Sequence, residues 1–393
     1  MTAKPNQIQA VIVGTGFMSW VHWEALVRLG IGVRGVLGSG PGKAEQLIAR
    51  FRAEATAKVY QSYEEIMNDS GAQVVHLVVP NRHHFAMAKA ALEAGKHVLC
   101  EKPLAMNPAE SAALVELARK HPQQAAAVNY NIRFYPLCLE ARERVRKGDI
   151  GELFHISGSY VQDWLLWQTD YNWRVLAAEG GDLRAVADIG THWLDLISSI
   201  TGLDIESVCA DLRTVHPQRQ KPAGEIVTFA GKNAPVAAGK PVDITTDDYG
   251  GILLKLTGGV RANLTVSQVN AGRKNCLRFE MAGSKKALAW NSESPNEMWI
   301  GHRDEPNQLL LRDPALLGKA ARAAADYPGG HNEGFDDSFK AAFRVLYDYI
   351  GAGDFTAPPP YPTFADGHKE IVVCEAILKS HRERRWVDIK EIA

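Results

Sequence analysis

A chain of 393 residues is two to three times the usual domain length of roughly 150, so two sizeable domains are expected and a toxin or lone small module is excluded. Lys plus Arg at 44 against Asp plus Glu at 45 leave a formal net charge of -1, which supplies no basic field for a phosphate backbone and argues against nucleic acid as a partner. Apolar content of 46% with 23% charged residues is the balance of a packed globular chain.

Cys100, Cys138, Cys209, Cys276 and Cys374 are odd in number, scattered and never spaced C-x-x-C, so they are expected to be reduced. The opening residues lack the basic, apolar and small-residue succession of a secretory signal. The apolar stretch 74–79 around His76 is too short to span a bilayer, which predicts a cytoplasmic protein with no membrane partner.

Over the first 130 residues, short continuous apolar runs at 9–13, 33–37, 74–79, 97–99 and 125–128 predict strands covered on both faces. Amphipathic segments at 20–29, 41–51, 63–68, 84–94 and 108–121 predict the helices between them, two of them opened by Pro41 and Pro108. Strict alternation of strand and helix means βαβ units and an α/β domain with a doubly wound parallel sheet over residues 1–130.

The grammar changes near residue 135. A helix at 137–147 leads into an extended run at 153–160 and a tryptophan-rich loop. Strand-like runs follow at 205–215, 249–257, 259–269, 276–282 and 287–291, with Gly-containing turns between them. This predicts a second, α+β domain over 131–393, built on a large open, mostly antiparallel sheet. Residues 217–242, rich in Pro, Gly, Lys and Ala, are expected to form an exposed excursion. Two late helices carry core stripes, Phe335, Phe339, Ala342, Phe343, Leu346 and Ile350 in one, and Ile371, Cys374, Ile377 and Leu378 in the other.

The first strand runs into Gly14-Thr15-Gly16-Phe17-Met18-Ser19 and then a helix. Gly14 permits a tight turn and Gly16 lets backbone approach a pyrophosphate, while the helix start offers unpaired N–H groups to the anion. Ser19 stands at the third-glycine position. After the second strand, Gly38-Ser39-Gly40-Pro41-Gly42-Lys43 holds no carboxylate for the adenosine ribose. Ser39 and Lys43 suit a 2'-phosphate, yet a hydroxyl and a glycine-rich backbone also tolerate NAD, so NAD and NADP both stay open. A Walker loop is rejected there, because Leu37 replaces its first glycine and Ala44 its Ser or Thr.

Ligands of doubly wound domains sit beyond the carboxyl ends of the strands. Two of those ends read Pro80-Asn81-Arg82-His83-His84 and Cys100-Glu101-Lys102-Pro103. With GTGFM at 14–18, NYNIRFYP at 129–136, Asn172-Trp173-Arg174 and Asp188-Ile189-Gly190-Thr191-His192, these motifs give the chain a resemblance, from the first strand to about residue 290, to the Gfo/Idh/MocA oxidoreductases. That resemblance implies an N-terminal Rossmann domain and a C-terminal open-sheet domain. It implies Lys102 at the reacting hydroxyl and nicotinamide ribose, with a cis Lys102-Pro103 bond, and Asp188 and His192 as the rest of the catalytic set. Pro80, Asn81, His84, Glu101 and Asn129 are then cofactor neighbours with Gly14, Gly16, Phe17 and Met18. A homodimer or homotetramer formed through the open sheet face is implied as well. The passage 180–188 is longer than in the family.

Oxidising a secondary alcohol sends hydride to the nicotinamide and needs a base titrating near neutrality for the hydroxyl proton. His192, four residues after Asp188, has the spacing for the carboxylate to orient the imidazole on one helical face, and Lys102 supplies positive charge where alkoxide develops. No ligand triad such as H-E-x-x-H accompanies His83, His84, Asp188, His192 and Asp195, so no metal is expected.

The loop 162–174, with Trp164, Trp173 and Arg174, mixes aromatic faces and hydrogen-bonding groups as a sugar site does. Arg133 and His331 are further substrate candidates. The reading is an NAD(P)-dependent oxidoreductase acting on a secondary hydroxyl of a sugar, cyclitol or sugar derivative. Two alternatives remain, a glycosidase working by transient oxidation, elimination and re-reduction, and a dinucleotide-binding redox sensor without chemistry, which the Lys102, Asp188 and His192 set disfavours.

Overall fold

Continuous burial along some strands and alternating burial along others sorts the chain into two kinds of sheet. The computed structural model describes residues 7–223 and 239–392. It forms two compact units, the first running to Asn131 and taking in Phe335–Ile371, the second made of Ile132–Gly334 and the chain from Val372 onward. The first unit thus joins the N-terminal stretch to a segment from late in the chain.

The first unit alternates β1 (Gln9–Val13), α1 (Phe17–Arg28), β2 (Gly32–Leu37), α2 (Lys43–Arg50), β3 (Lys58–Tyr60), α3 (Tyr63–Asn68), β4 (Val74–Leu77), α4 (His84–Glu93), β5 (His97–Cys100), α5 (Pro108–Lys120) and β6 (Ala126–Val128). All strands pair in parallel in the order β3-β2-β1-β4-β5-β6. Helix starts follow local chemistry. The Ser62 side chain accepts from the Glu65 N–H, and Asn107 accepts from the Glu110 N–H with Pro108 in the first turn. The strand β3 has no counterpart in the sequence reading, because three residues with one charged member give no apolar run. Strand order reverses between β1 and β4, which marks the ligand crevice of such sheets.

In the second unit α6 (Pro136–Arg146) precedes β7 (Leu153–Val161), α7 (Ala177–Gly180) and α8 (Thr191–Thr201). Then come β8 (Ile205–Arg213), β9 (Gln218–Pro222), β10 (Gly239–Asp243), β11 (Tyr249–Leu256), β12 (Arg261–Ser267), β13 (Cys276–Gly283), β14 (Ala287–Asn291), β15 (Glu297–Gly301), β16 (Gln308–Leu311) and α9 (Lys319–Ala324). The helices α10 (Phe335–Ala352) and α11 (Phe364–Glu383) and the short β17 (Val387–Asp388) complete the chain. A nine-stranded sheet has the order β16-β15-β14-β13-β7-β12-β11-β8-β17, antiparallel except where β12 lies parallel to β7. Along β11, Gly250, Ile252, Leu254 and Leu256 are buried while Tyr249 and Leu253 are exposed, so one face packs and the other is open.

The excursion expected at 217–242 is only partly described, since residues 224–238 lie outside the described residues. Its flanks pair as the β9–β10 ribbon, and Arg219 is fully buried, which corrects the expectation of exposure there. On α10, Phe339, Ala342, Phe343, Leu346 and Ile350 are buried as the stripe requires. All five cysteines are free. Among the described residues no helix is long and apolar enough to cross a membrane.

Gly14 fixes the exit from β1. Its φ is +122°, and a Cβ there would stand 2.4 Å from the Val78 carbonyl oxygen. Gly14→Ala is therefore expected to lower unfolding free energy by at least ~1–3 kcal/mol, the cost of one strained backbone position, read as a lower urea midpoint at unchanged slope. A midpoint equal to wild type would show that the turn can relax.

Candidate active site

Each unit carries one constellation of the expected residues. In the first, the Gly14 N–H donates to the Leu37 carbonyl at 2.9 Å, tying the turn to β2. Gly16 is the N-cap of α1, where no side chain caps the helix and no acidic residue enters the first turn. A Cβ on Gly16 would meet nothing within 4 Å. A helix start left without a side-chain cap beside open backbone is suited to a pyrophosphate. Phe17 stacks on Phe335 at 6.4 Å between ring centroids, and Met18 follows it in the first turn. Ser19 is fully buried. Ser39 is exposed beyond β2 with its hydroxyl 3.3 Å from that of Thr15, and Lys43 opens α2 behind Gly42.

The second cluster of this unit lies past β4 and β5. Pro80 caps a short turn at Asn81–His83, and Asn81 is half-buried. His84 is fully buried, with Nδ1 2.7 Å from the Pro103 carbonyl and Nε2 3.0 Å from the Val79 carbonyl. Burial pushes its pKa down, against the two carbonyls that favour the protonated ring. The imidazole thus braces the turn after β4 against the residues after β5. Lys102 is half-buried and joined to Pro103 by a cis bond, as the resemblance implied.

Glu101 is buried, and its Oε1 accepts from His22 Nε2 at 2.9 Å and Asn129 Nδ2 at 2.6 Å. Burial pushes its pKa up, but the His22 hydrogen bond, the charges of His22 and Lys102 and the Asn129 amide outweigh that and hold it at about 2. Neither His22 nor its neighbour His76 was singled out as functional from sequence. A histidine inside a helix or an apolar strand carries no spacing signal of its own.

In the second unit, Asp188 lies within a π-helical turn, Val186–Gly190, that runs directly into α8 with His192 in its first turn. Asp247 Oδ1 accepts the Arg184 N–H at 2.6 Å and Oδ2 the Val186 N–H at 2.9 Å, so one carboxylate caps the segment from 61 residues downstream. The carboxylate of Asp188 accepts from Gln268 Nε2 at 2.8 Å and lies 3.4 Å from Arg174 Nε. Gln268 in turn accepts from Arg184 Nη1 at 3.2 Å.

Arg184 and Arg219 are both buried on Asp248. Burial pushes the Asp248 pKa up, but the charges of Arg184 and Arg219 and the His216 N–H bring it below the ordinary value. The long passage before Asp188 is therefore a pinned segment. His192 is buried with its ring 6.1 Å from that of Tyr160, whose hydroxyl donates to Asn275 at 2.7 Å.

The arginine candidates are engaged by the protein. Arg133 grips the buried Asp195 through Nε at 2.7 Å and Nη2 at 2.5 Å. The guanidinium of Arg174 covers the Trp173 ring at 4.4 Å. Trp164 donates Nε1–H to Gln162 at 2.8 Å and is half-buried. His331 is exposed on a loop whose Tyr327, Pro328 and His331 carbonyls all accept from Arg312. The contacts of Gln268, Asn275 and Arg312 were not legible in the sequence, since their partners are 15 or more residues away.

The comparisons with known proteins agree with this fold. Residues 8–130 match the GFO/IDH/MocA model described as an oxidoreductase family with an NAD-binding Rossmann fold, and residues 138–289 match the GFO/IDH/MocA C-terminal domain. Levoglucosan dehydrogenase of Pseudarthrobacter phenanthrenivorans is 27% identical over 97% of this chain and 98% of its own. Inositol 2-dehydrogenase of Salmonella typhimurium is 24% identical over 95% of this chain and 94% of its own. A solved levoglucosan dehydrogenase in complex with NADH and L-sorbose superposes with a TM-score of 0.85 at 24% identity, covering 97% of this chain and 98% of that one. With both of its units matched in order, the chain belongs to the Gfo/Idh/MocA family of NAD-binding oxidoreductases.

Proposed function

We propose that this enzyme oxidises a secondary hydroxyl of an uncharged sugar, cyclitol or sugar derivative with NAD as the hydride acceptor. The observation that carries the reading is the glycine turn opening onto the uncapped start of α1, in the same sheet as Lys102 beyond β5. The relatives named for levoglucosan and inositol, and the solved relative holding NADH and L-sorbose, support the substrate class. Gly14, Gly16, Phe17 and Met18 hold the pyrophosphate, and Ser39 and Lys43 the adenosine side, where NADP also fits. Pro80, Asn81, Glu101 and Asn129 border the nicotinamide side, with His84 as brace.

Within this reading Lys102 stabilises the developing alkoxide, His192 takes the hydroxyl proton and Asp188 keeps the base oriented. An uncharged substrate is favoured because Arg133 and Arg174 already face Asp195 and Asp188. Trp173 has one ring face covered by Arg174, which leaves a single face for stacking against sugar C–H groups, and Trp164 and His331 are further contacts.

A panel of polyols, aldoses and glycosides with NAD+ and NADP+, read by reduced-cofactor absorbance and by aglycone release, tests the reading. Net cofactor reduction with a polyol or aldose is expected. Aglycone release without net reduction would support the glycosidase instead, and binding without turnover the sensor.

His192→Ala is expected to lower kcat by roughly 10²–10⁴-fold, the worth of a positioned base, with cofactor affinity within about threefold of wild type. Unchanged kcat would remove His192 from the mechanism.

Five free thiols favour a reducing, cytoplasmic setting. Exposed Tyr249 and Leu253 on the open face of β11 give the sheet an apolar character there that favours association of copies into a dimer or tetramer. Sedimentation of the purified chain should return at least twice the 43.1 kDa chain mass, and a monomer at micromolar concentration would contradict this.

A further inference from the structure

The first unit contains a line of titratable groups that the proposed chemistry does not use. His22 on α1 and His76 on β4 are fully buried, and Tyr347 on α10 is 1% exposed. The Nδ1 atoms of the two histidines are 3.0 Å apart, and His76 Nε2 is 2.8 Å from the Tyr347 hydroxyl. With His22 Nε2 at 2.9 Å from Glu101, the four groups form one hydrogen-bonded line from α10 to the residue before Lys102. Phe343 packs edge-on against both imidazoles at 4.9 and 5.2 Å, and Phe339 lies 5.8 Å from His22.

Donor and acceptor bookkeeping sets the Glu101 end of this line. An ionised Glu101 only accepts, so His22 Nε2 carries a hydrogen. Burial and the nearness of His22 push the His76 pKa well below the ordinary histidine value, and burial pushes that of the Tyr347 hydroxyl well up. Both therefore stay neutral. Beyond it, His22 Nδ1 faces His76 Nδ1 and His76 Nε2 faces the Tyr347 hydroxyl, so both imidazoles are held in one line behind Glu101. Because His76 and Tyr347 are both buried, the line ends blind. It is suited to holding Glu101 rather than to carrying a proton to solvent.

We propose that His22, itself set by His76 and Tyr347, is a positioning residue for Glu101 and so for the start of the Glu101-Lys102-Pro103 segment. Its Nε2–H occupies Glu101 Oε1, leaving Oε2 to the Lys102 backbone N–H at 3.3 Å. The inference rests on the dehydrogenase reading, in which Glu101 and Lys102 serve the nicotinamide ribose.

The test compares wild type, His22→Leu, which removes the donor, and His22→Gln, whose amide can still donate toward Glu101. Each is titrated with NADH by fluorescence without substrate and melted thermally. Position-holding predicts that Leu raises the NADH Kd about tenfold or more while Gln stays within about threefold of wild type, whatever the order of melting temperatures. One tenfold step corresponds to about 1.4 kcal/mol. A packing role alone predicts that Kd follows melting temperature, and that result, or equal Kd values in all three proteins, overturns the inference.

Should the Leu variant not fold, the nitrogen-15 shifts of His22 in the wild-type chain decide. A ring bearing a hydrogen on Nε2 supports the proposal, and a ring with Nε2 bare overturns it. A wild-type chain that binds no NADH defeats the dehydrogenase reading itself, whereas indifferent His22 variants of an NADH-binding chain defeat only this inference.

Discussion

A carboxylate removed from water stays charged only when the protein supplies the hydrogen bonds that water gave up. Both units are organised around that constraint. Glu101 in the first is met by His22, Asn129 and the Lys102 backbone, and the buried pair Asp247 and Asp248 in the second is met by two arginines and four backbone N–H groups. In each case the satisfied carboxylate stands next to a residue expected to do chemistry, Lys102 in one and Asp188 in the other. The buried ions act as fixed anchors from which the more exposed groups are hung.

This arrangement explains why the chain has many arginines near the substrate candidates yet offers little for an anion. Arg133, Arg174 and Arg184 each face an acid of their own unit. A guanidinium clamped in two directions loses less entropy when its surroundings change, which is a property of scaffolding. Under the proposed reading, hydroxyl recognition would fall to amides, indoles and histidines, the groups that pair with a neutral polyol without a desolvated counter-charge.

The elements with strong local signals were legible in the sequence. Residues 9–13 and 63–68 were bounded as β1 and α3 are, and the stripe on α10 was visible from its apolar spacing. Strands β3, β15 and β16 escaped notice because they are short and carry no continuous apolar run longer than three residues. Among site residues, the glycine turn and Lys102 were legible because backbone geometry and strand ends leave marks in a sequence. The π turn under Asp188 was not, since the Asp247 that caps it stands 61 positions after Val186, and His22 and His76 were not, since two histidines 54 positions apart announce nothing until α1 and β4 bring them to 3.0 Å.

The first unit takes one of its helices from very late in the chain. Tyr347, Phe343 and Phe339, which cover His22 and His76, belong to Phe335–Ile371, more than 200 positions after Asn131. During synthesis, then, the parallel sheet emerges long before its last cover, and the two imidazoles wait in a half-dressed layer while the whole antiparallel sheet is being made. Closing so long a loop is entropically slow, so completion of the nucleotide-binding half is a late event of folding, and a fragment cut at its apparent boundary would lack part of its own interior.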